Sequence, residues 1–260
     1  MRPKHFPVFI EEQAIDIVAK VRNAGENLIF FVHGLGCSKD SFHHFWNYAE
    51  FNEYSVLAID LAGFGESSNS NNFSHTMEAQ AKICSKILTN FSYKNLYIVA
   101  HSMGGAVALL LPDEILNLTK TFINIEGNLI SADCGIISQQ IISMSQAEFE
   151  SHLLPKLRNT FNRLGENYTA IDSSSANSLY KSSKSLVAWS NNNKLLDKFL
   201  GLNCRKAYFF GDKNADLPVL NLIGDIQKVM IKNSGHFPMN DNPKSFYHEL
   251  YKFLQPAGKK

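Results

Sequence analysis

Short runs of consecutive apolar residues recur along this chain, each followed by small or polar residues and then by a stretch with helical spacing. Leu28-Ile29-Phe30-Phe31-Val32, Val56-Leu57-Ala58-Ile59, Leu96-Tyr97-Ile98-Val99 and Thr121-Phe122-Ile123-Asn124-Ile125 carry almost no break in hydrophobicity. A half-exposed strand would alternate, so these runs predict strands buried on both faces of a sheet. Ala207-Tyr208-Phe209-Phe210 and Gln227-Lys228-Val229-Met230-Ile231 read as two further strands. The opening segments are different. Phe6 to Ile10 and Ala14 to Val21 read as two strands, the second alternating Ile15, Ile17, Ala19 and Val21.

Helical patterns separate the strands. One helix is expected over Asp40 to Glu50. Ser74, at the end of an exposed Asn/Ser tract, is placed to cap another that runs to about Asn90, with Met77, Ala81, Cys84, Ile87 and Leu88 on one face. Asn242 and Pro243 have the chemistry of an N-cap and a first helical residue, and they open a final helix. Between Gly127 and Trp189 the alternation stops. That stretch holds a helical patch from Gln146 to Leu164, interrupted at Pro155, and a Ser/Asn/Lys-rich segment. The pattern predicts an α/β fold, with a mostly parallel central sheet and helices on both faces. Residues 1–126 and 191–260 are expected to form the core, and 127–190 an inserted helical lid.

Composition narrows the function. The chain has 260 residues, enough for one large α/β domain, and 45% of them are hydrophobic. Lys and Arg number 25 against 24 for Asp and Glu, so there is no field to steer a nucleic acid or an anionic membrane. The basic Gly258-Lys259-Lys260 tail reads as solvated. Cys37, Cys84, Cys134 and Cys204 form no C-x-x-C pair and suggest free thiols in a reducing compartment. The first apolar run is broken by Glu11 and Glu12, too early for a signal-peptide core, and no stretch is long enough to span a bilayer. A cytoplasmic protein acting on a small molecule is the expectation.

Each chemically suggestive residue falls just after a predicted strand, where open α/β sheets place their sites. Ala100-His101-Ser102-Met103-Gly104-Gly105 follows the Leu96–Val99 run. A serine on so sharp a strand-to-helix turn needs small residues two before and two after it, here Ala100 and Gly104. His236 lies in a loop after the last strand, between Gly235 and Pro238, and an imidazole is what a serine hydroxyl needs to become a nucleophile. These residues resemble the nucleophile elbow and catalytic histidine of the α/β-hydrolase superfamily, with Ala100 in place of the first glycine of G-x-S-x-G. His33-Gly34-Leu35-Gly36 resembles the family's H-G-x-G oxyanion loop, and the resemblance assigns the backbone N–H groups of Leu35 and Met103 to the oxyanion. It gives the His33 side chain a structural role and takes Asp60 to Ser67, similar to the family's D-x-x-G-x-G-x-S segment, as turn and packing geometry. His101 is expected to point away from the nucleophile.

The acid of a Ser-His-acid triad has more than one candidate. The resemblance places it most often at the fourth residue of G-x-x-D, but Gly211-Asp212-Lys213-Asn214 ends in an uncharged Asn214. A variation of the fold takes the acid from the preceding core strand, where Glu126 stands, and a carboxylate ending a buried strand needs a partner in any case. Asp216 and Asp212 are the alternatives. The His43-His44 pair invites comparison with a metal site, but neighbouring histidines on a helix are expected to diverge and no carboxylate is suitably spaced.

The resemblance thus implies a cofactor-free serine hydrolase of the esterase/lipase type acting on esters of small or medium acyl chains. Thioesterase, lactonase and cofactor-free perhydrolase chemistry use the same residues, and a non-catalytic ligand sensor could share the fold. Within 127–190, Phe149, Leu153, Leu154, Leu157, Phe161, Leu186, Val187 and Trp189 are the candidates to line an acyl site.

Overall fold

The computed structural model describes residues 2–161, 163 and 170–255. Its centre is an eight-stranded sheet in the order β1-β2-β4-β3-β5-β6-β7-β8. The strands are β1 (Lys4–Ile10), β2 (Gln13–Arg22), β3 (Asn27–Val32), β4 (Ser55–Ile59), β5 (Asn95–His101), β6 (Thr119–Ile125), β7 (Arg205–Gly211) and β8 (Gln227–Ile231). β1 and β2 pair antiparallel, as do β2 and β4; every pairing from β4 across to β8 is parallel. The continuous apolar runs are explained by this arrangement. In β3, Leu28, Phe30 and Val32 join the core on one face while Ile29 and Phe31 join the core on the other.

β3 has β4 on one side and β5 on the other, so the strand order reverses direction between β3 and β5. Crevices of this kind, beyond the carboxyl ends of the strands, are the usual ligand sites of α/β sheets. His33 to Gly36 and Ser102 emerge at that point.

Several helices depart from the sequence pattern for identifiable reasons. The segment expected as a helix over Asp40 to Glu50 forms two 3₁₀ stretches, Lys39–Asn47 and Ala49–Phe51, with a kink at Phe42. Helix α1 (Met77–Leu88) is capped by Thr76, whose Oγ1 accepts from the Ala79 N–H at 3.2 Å; the Ser74 hydroxyl is instead bonded to Glu11 at 2.6 Å. Asn242 does cap the last helix, Pro243–Leu254, by accepting from the Ser245 N–H.

Between β6 and β7 the elements among the described residues are helices joined by turns. Pro155 does not break the chain: a π-helical turn, Phe149–Leu153, runs into the helix Leu154–Phe161 and accommodates the residue that lacks an N–H. The expected end of that helix at Leu164 lies outside the described residues, as does the basic tail from Gly258. The Ser/Asn/Lys-rich segment forms a long helix, Ala176–Ser190. Its serines are contact residues, not loop residues. Ser178 and Ser182 donate to the carbonyls of Gly63 and His75 at 2.8 and 3.1 Å, and Ser185 accepts from the Met77 N–H at 3.0 Å. Small polar side chains let this helix lie directly on the backbone of neighbouring segments. Among the described residues, no helix is long and apolar enough to cross a membrane.

Candidate active site

β5 ends at His101, and the next residue, Ser102, has φ 51° and ψ −124° before helix α2 (Met103–Leu109) begins. That conformation is costly for a residue with a side chain, by about 1–3 kcal/mol, and persists only where its surroundings over-determine it. Here they do. The Ser102 N–H donates to the Ile125 carbonyl at 3.0 Å, and α2 lies tightly against the end of β3. A Cβ on Gly104 would stand 2.4 Å from the Val32 carbonyl oxygen and 2.6 Å from that of His33, both backbone atoms that cannot swing aside. Gly104→Ala is therefore expected to lower stability by about 1–3 kcal/mol or more, read as a loss of urea midpoint, whereas a substitution at exposed Glu114 should change little.

The neighbouring loop closes on the same point. A Cβ on Gly34 would come within 3.0 Å of the Ser102 Cβ, so this loop packs against the serine with no room for a side chain. His33 is fully buried, and burial lowers its pKa, leaving the ring neutral. Its Nδ1–H donates to the Gly34 carbonyl at 2.8 Å, and its Nε2 accepts from the Leu61 N–H at 2.9 Å. Behind it, buried Asp60 pairs with the Lys39 ammonium at 2.7 Å and accepts from the Glu66 N–H at 2.9 Å. Gly65 needs to be glycine there, with φ 56° and an imagined Cβ only 2.4 Å from the Asp60 carboxyl carbon. Leu35 lines the cavity above, and Met103, as the first residue of α2, has an N–H with no acceptor inside its helix.

Glu126 follows β6 directly, with φ 42° and only 4% of its surface exposed. One carboxylate oxygen, Oε2, is 2.8 Å from His236 Nδ1. The other, Oε1, accepts from the Gly211 N–H at 2.8 Å, and the Asn214 amide nitrogen reaches both oxygens, at 3.0 and 2.8 Å. A carboxylate accepts and does not donate, so Nδ1 carries the proton of this bond, and in the neutral ring that makes Nε2 the acceptor. The two alternative acids lie elsewhere. Asp212 accepts from the Ser234 N–H at 3.0 Å, and Asp216 is exposed. In the sequence Asn214 is only a missing charge; its contact with Glu126 depends on the turn after β7 and leaves no signal in the pattern.

His101 is fully buried with its Nε2 2.9 Å from the His236 carbonyl oxygen, and its ring centre lies 4.8 Å from that of His236. Burial first, and the neighbouring His236 second, hold its pKa well below the usual histidine value, so it is a neutral N–H donor to the His236 backbone.

Ser102, His236 and Glu126 line one cavity of about 480 Å³. From the 127–190 segment, Leu157, Phe161 and Leu186 line it, joined by Ile137, Ile141 and Leu179. Phe149, Leu154 and Val187 are buried in packing instead, Leu153 is half-buried against the core, and Trp189 donates its ring N–H to Glu78 at 2.7 Å on the outside. Two thiols also reach the cavity. Burial pushes Cys37 up to about 12 and raises Cys134, so neither is a thiolate at neutral pH. Asp133, whose carboxylate accepts from the Leu129 and Ile130 N–H groups at 3.0 Å, is raised to about 6, chiefly by burial. His43 and His44, expected to diverge, have ring centres 3.7 Å apart with the planes tilted by 43°, just after the kink at Phe42.

Comparisons with known proteins agree with the architecture. The model of a family described as alpha/beta hydrolase fold matches residues 27–127, from β3 past Glu126. The chain is 33% identical over 107 residues to "Probable lysophospholipase BODYGUARD 4" of Arabidopsis thaliana, covering 39% of this chain and 24% of that protein. It is 34% identical over 88 residues to "Uncharacterized hydrolase YugF" of Bacillus subtilis, covering 34% of this chain and 32% of that protein. The matched stretch thus spans about a quarter to a third of the length of these curated relatives. A solved thermophilic esterase from Thermogutta terrifontis superposes with a TM-score of 0.77 at 16% identity, over 98% of both chains. At that identity the likeness speaks for the fold alone.

Proposed function

We propose, on the match of residues 27–127 to the alpha/beta hydrolase fold family, that the chain is a serine hydrolase of that superfamily cleaving carboxylic esters of small or medium acyl chains. One observation carries the reading: the Glu126–His236 bond of 2.8 Å lies in the same cavity as a serine held at φ 51°. Ser102 Oγ attacks the carbonyl carbon while His236 Nε2 takes its proton. The imidazolium that forms is stabilised by the Glu126 carboxylate. Negative charge developing on the carbonyl oxygen is met by the N–H groups of Leu35 and Met103. When the tetrahedral intermediate collapses, His236 returns the proton to the leaving alcohol. Water then attacks the acyl-Ser102 ester, with His236 as base, and releases the acid.

The helical segment between β6 and β7 is read as a lid that sets acyl selectivity. Its apolar side chains offer a hydrocarbon tail a dry surface, worth about 0.8 kcal/mol per methylene buried. Labelling by a fluorophosphonate probe, followed by a series of p-nitrophenyl esters of rising acyl length, tests the whole reading. A sensor with an idle serine should fail to label and to turn over. Leu186→Trp should narrow the cavity and reduce kcat/KM for octanoyl against acetyl esters by about tenfold or more. An unchanged chain-length preference would separate the lid from selectivity.

A further inference from the structure

Asn214 stands where a second carboxylate could have been, and its amide is turned toward Glu126. One nitrogen lies within hydrogen-bond reach of both carboxylate oxygens, at 3.0 and 2.8 Å. The nitrogen must face this way, because the amide oxygen against a carboxylate would set two acceptors together. With the Gly211 N–H on Oε1 and His236 Nδ1 on Oε2, each oxygen of the buried acid has two donors. Glu126 itself sits on a backbone with φ 42°, and Gly211 N–H alone would leave its carboxylate free to rotate about the bond to Cγ.

We propose that Asn214 is a positioning residue: its amide bridges the two oxygens of Glu126 and fixes the plane of the carboxylate so that Oε2 is held for His236 Nδ1. This rests on the reading of Glu126 as the group that orients His236, and goes beyond it by making the acid a two-residue unit formed across β6 and β7. The bond to His236 is charge-assisted, so it is sensitive to a tilt of the carboxylate. The titratable groups that act on Glu126 electrostatically among the described residues include His236 from the loop after β8, Tyr208 from β7 and Asp133 from the turn after β6. Tyr208 is held well above the usual phenol range, chiefly by burial, and remains protonated, so Asn214→Asp would add the one new charge.

Three variants test the assignment. Asn214→Ala removes the bridge and is expected to lower kcat about ten- to a hundredfold with little change in KM. Asn214→Asp keeps the shape but sets two carboxylates in contact, and such a pair retains one proton to higher pH than either group alone. While it holds that proton, the introduced carboxyl group can still donate to Glu126. As pH rises and the proton leaves, the two charges repel. The pH–rate profile should therefore gain an alkaline descending limb that wild type and Asn214→Ala both lack. A substrate-free readout runs alongside: in protein labelled with ¹⁵N-histidine, the downfield His236 Nδ1 proton should weaken in Asn214→Ala, and vanish with rising pH in Asn214→Asp. Wild-type kcat and an unaltered Nδ1 proton in Asn214→Ala, or a wild-type pH profile in Asn214→Asp, would overturn the proposal. Should Asn214→Ala not fold, the isosteric Asn214→Asp decides alone. Loss in Glu126→Gln with none in the Asn214 variants removes only this inference. No loss in Glu126→Gln removes the acid assignment and the inference together.

Discussion

Ser102→Ala should lower ester turnover by about a millionfold, the scale seen when a nucleophile acting with its base as one unit is removed, and should abolish fluorophosphonate labelling. The loss is expected in kcat, because the rest of the cavity, and with it substrate binding, stays in place. Stability gives a second, independent reading of the same residue. The conformation at φ 51° and ψ −124° is imposed on Ser102 by its bond to Ile125 and by the packing of α2 on β3. Alanine inherits that strain; glycine does not. Ser102→Gly should therefore be as inactive as Ser102→Ala yet more stable by about 1 kcal/mol, measured by urea denaturation. Appreciable turnover in either variant would move the nucleophile elsewhere, and equal stability would mean that the turn is not strained.

The elements that were legible in the sequence are those whose environment is uniform. The central parts of β3 to β7 are buried on both faces, and a stretch in that setting reads as a nearly unbroken apolar run. The elbow was legible for a related reason: the close approach of α2 to Val32 and His33 leaves room for nothing larger than Gly104, so the constraint is written in residue size. The helix Ala176–Ser190 was not legible. Its serines face backbone carbonyls of the segments around Gly63 and His75, and hydrogen bonds of that kind give no apolar stripe. Nor could the pattern divide the apolar side chains between β6 and β7 into those that line the cavity, such as Leu157, and those that pack inward, such as Phe149. Both are apolar and lie on one continuous helical stretch, so only the packing of that stretch separates them. Asn214 escapes the pattern because its contact is relational. Three residues after Gly211 it offers a donor, and only the neighbouring strand supplies the acceptor.

The largest effect after loss of the nucleophile is expected at Glu126. Glu126→Gln keeps nearly the same shape, yet it removes the charge facing His236 and brings an amide that can donate. With Nδ1 now met by a donor, the ring is drawn to the tautomer with its proton on Nε2, the wrong nitrogen to accept from Ser102. The corresponding exchange of acid for amide in a serine-protease triad costs about ten-thousandfold in turnover, and a loss of that order is expected here. The remaining contacts of residue 126 sharpen the forecast. Gly211 N–H and the Asn214 amide both donate toward the carboxylate, at 2.8 to 3.0 Å, so they hold the glutamine oxygen on their side and turn its NH2 toward His236 Nδ1. Asp216→Asn and Asp212→Asn serve as controls. Asp216 is exposed and Asp212 holds the Ser234 N–H, away from the imidazole, so neither should lower turnover more than about threefold. A ten-thousandfold loss in Asp216→Asn, or full activity in Glu126→Gln, would place the acid on the other strand.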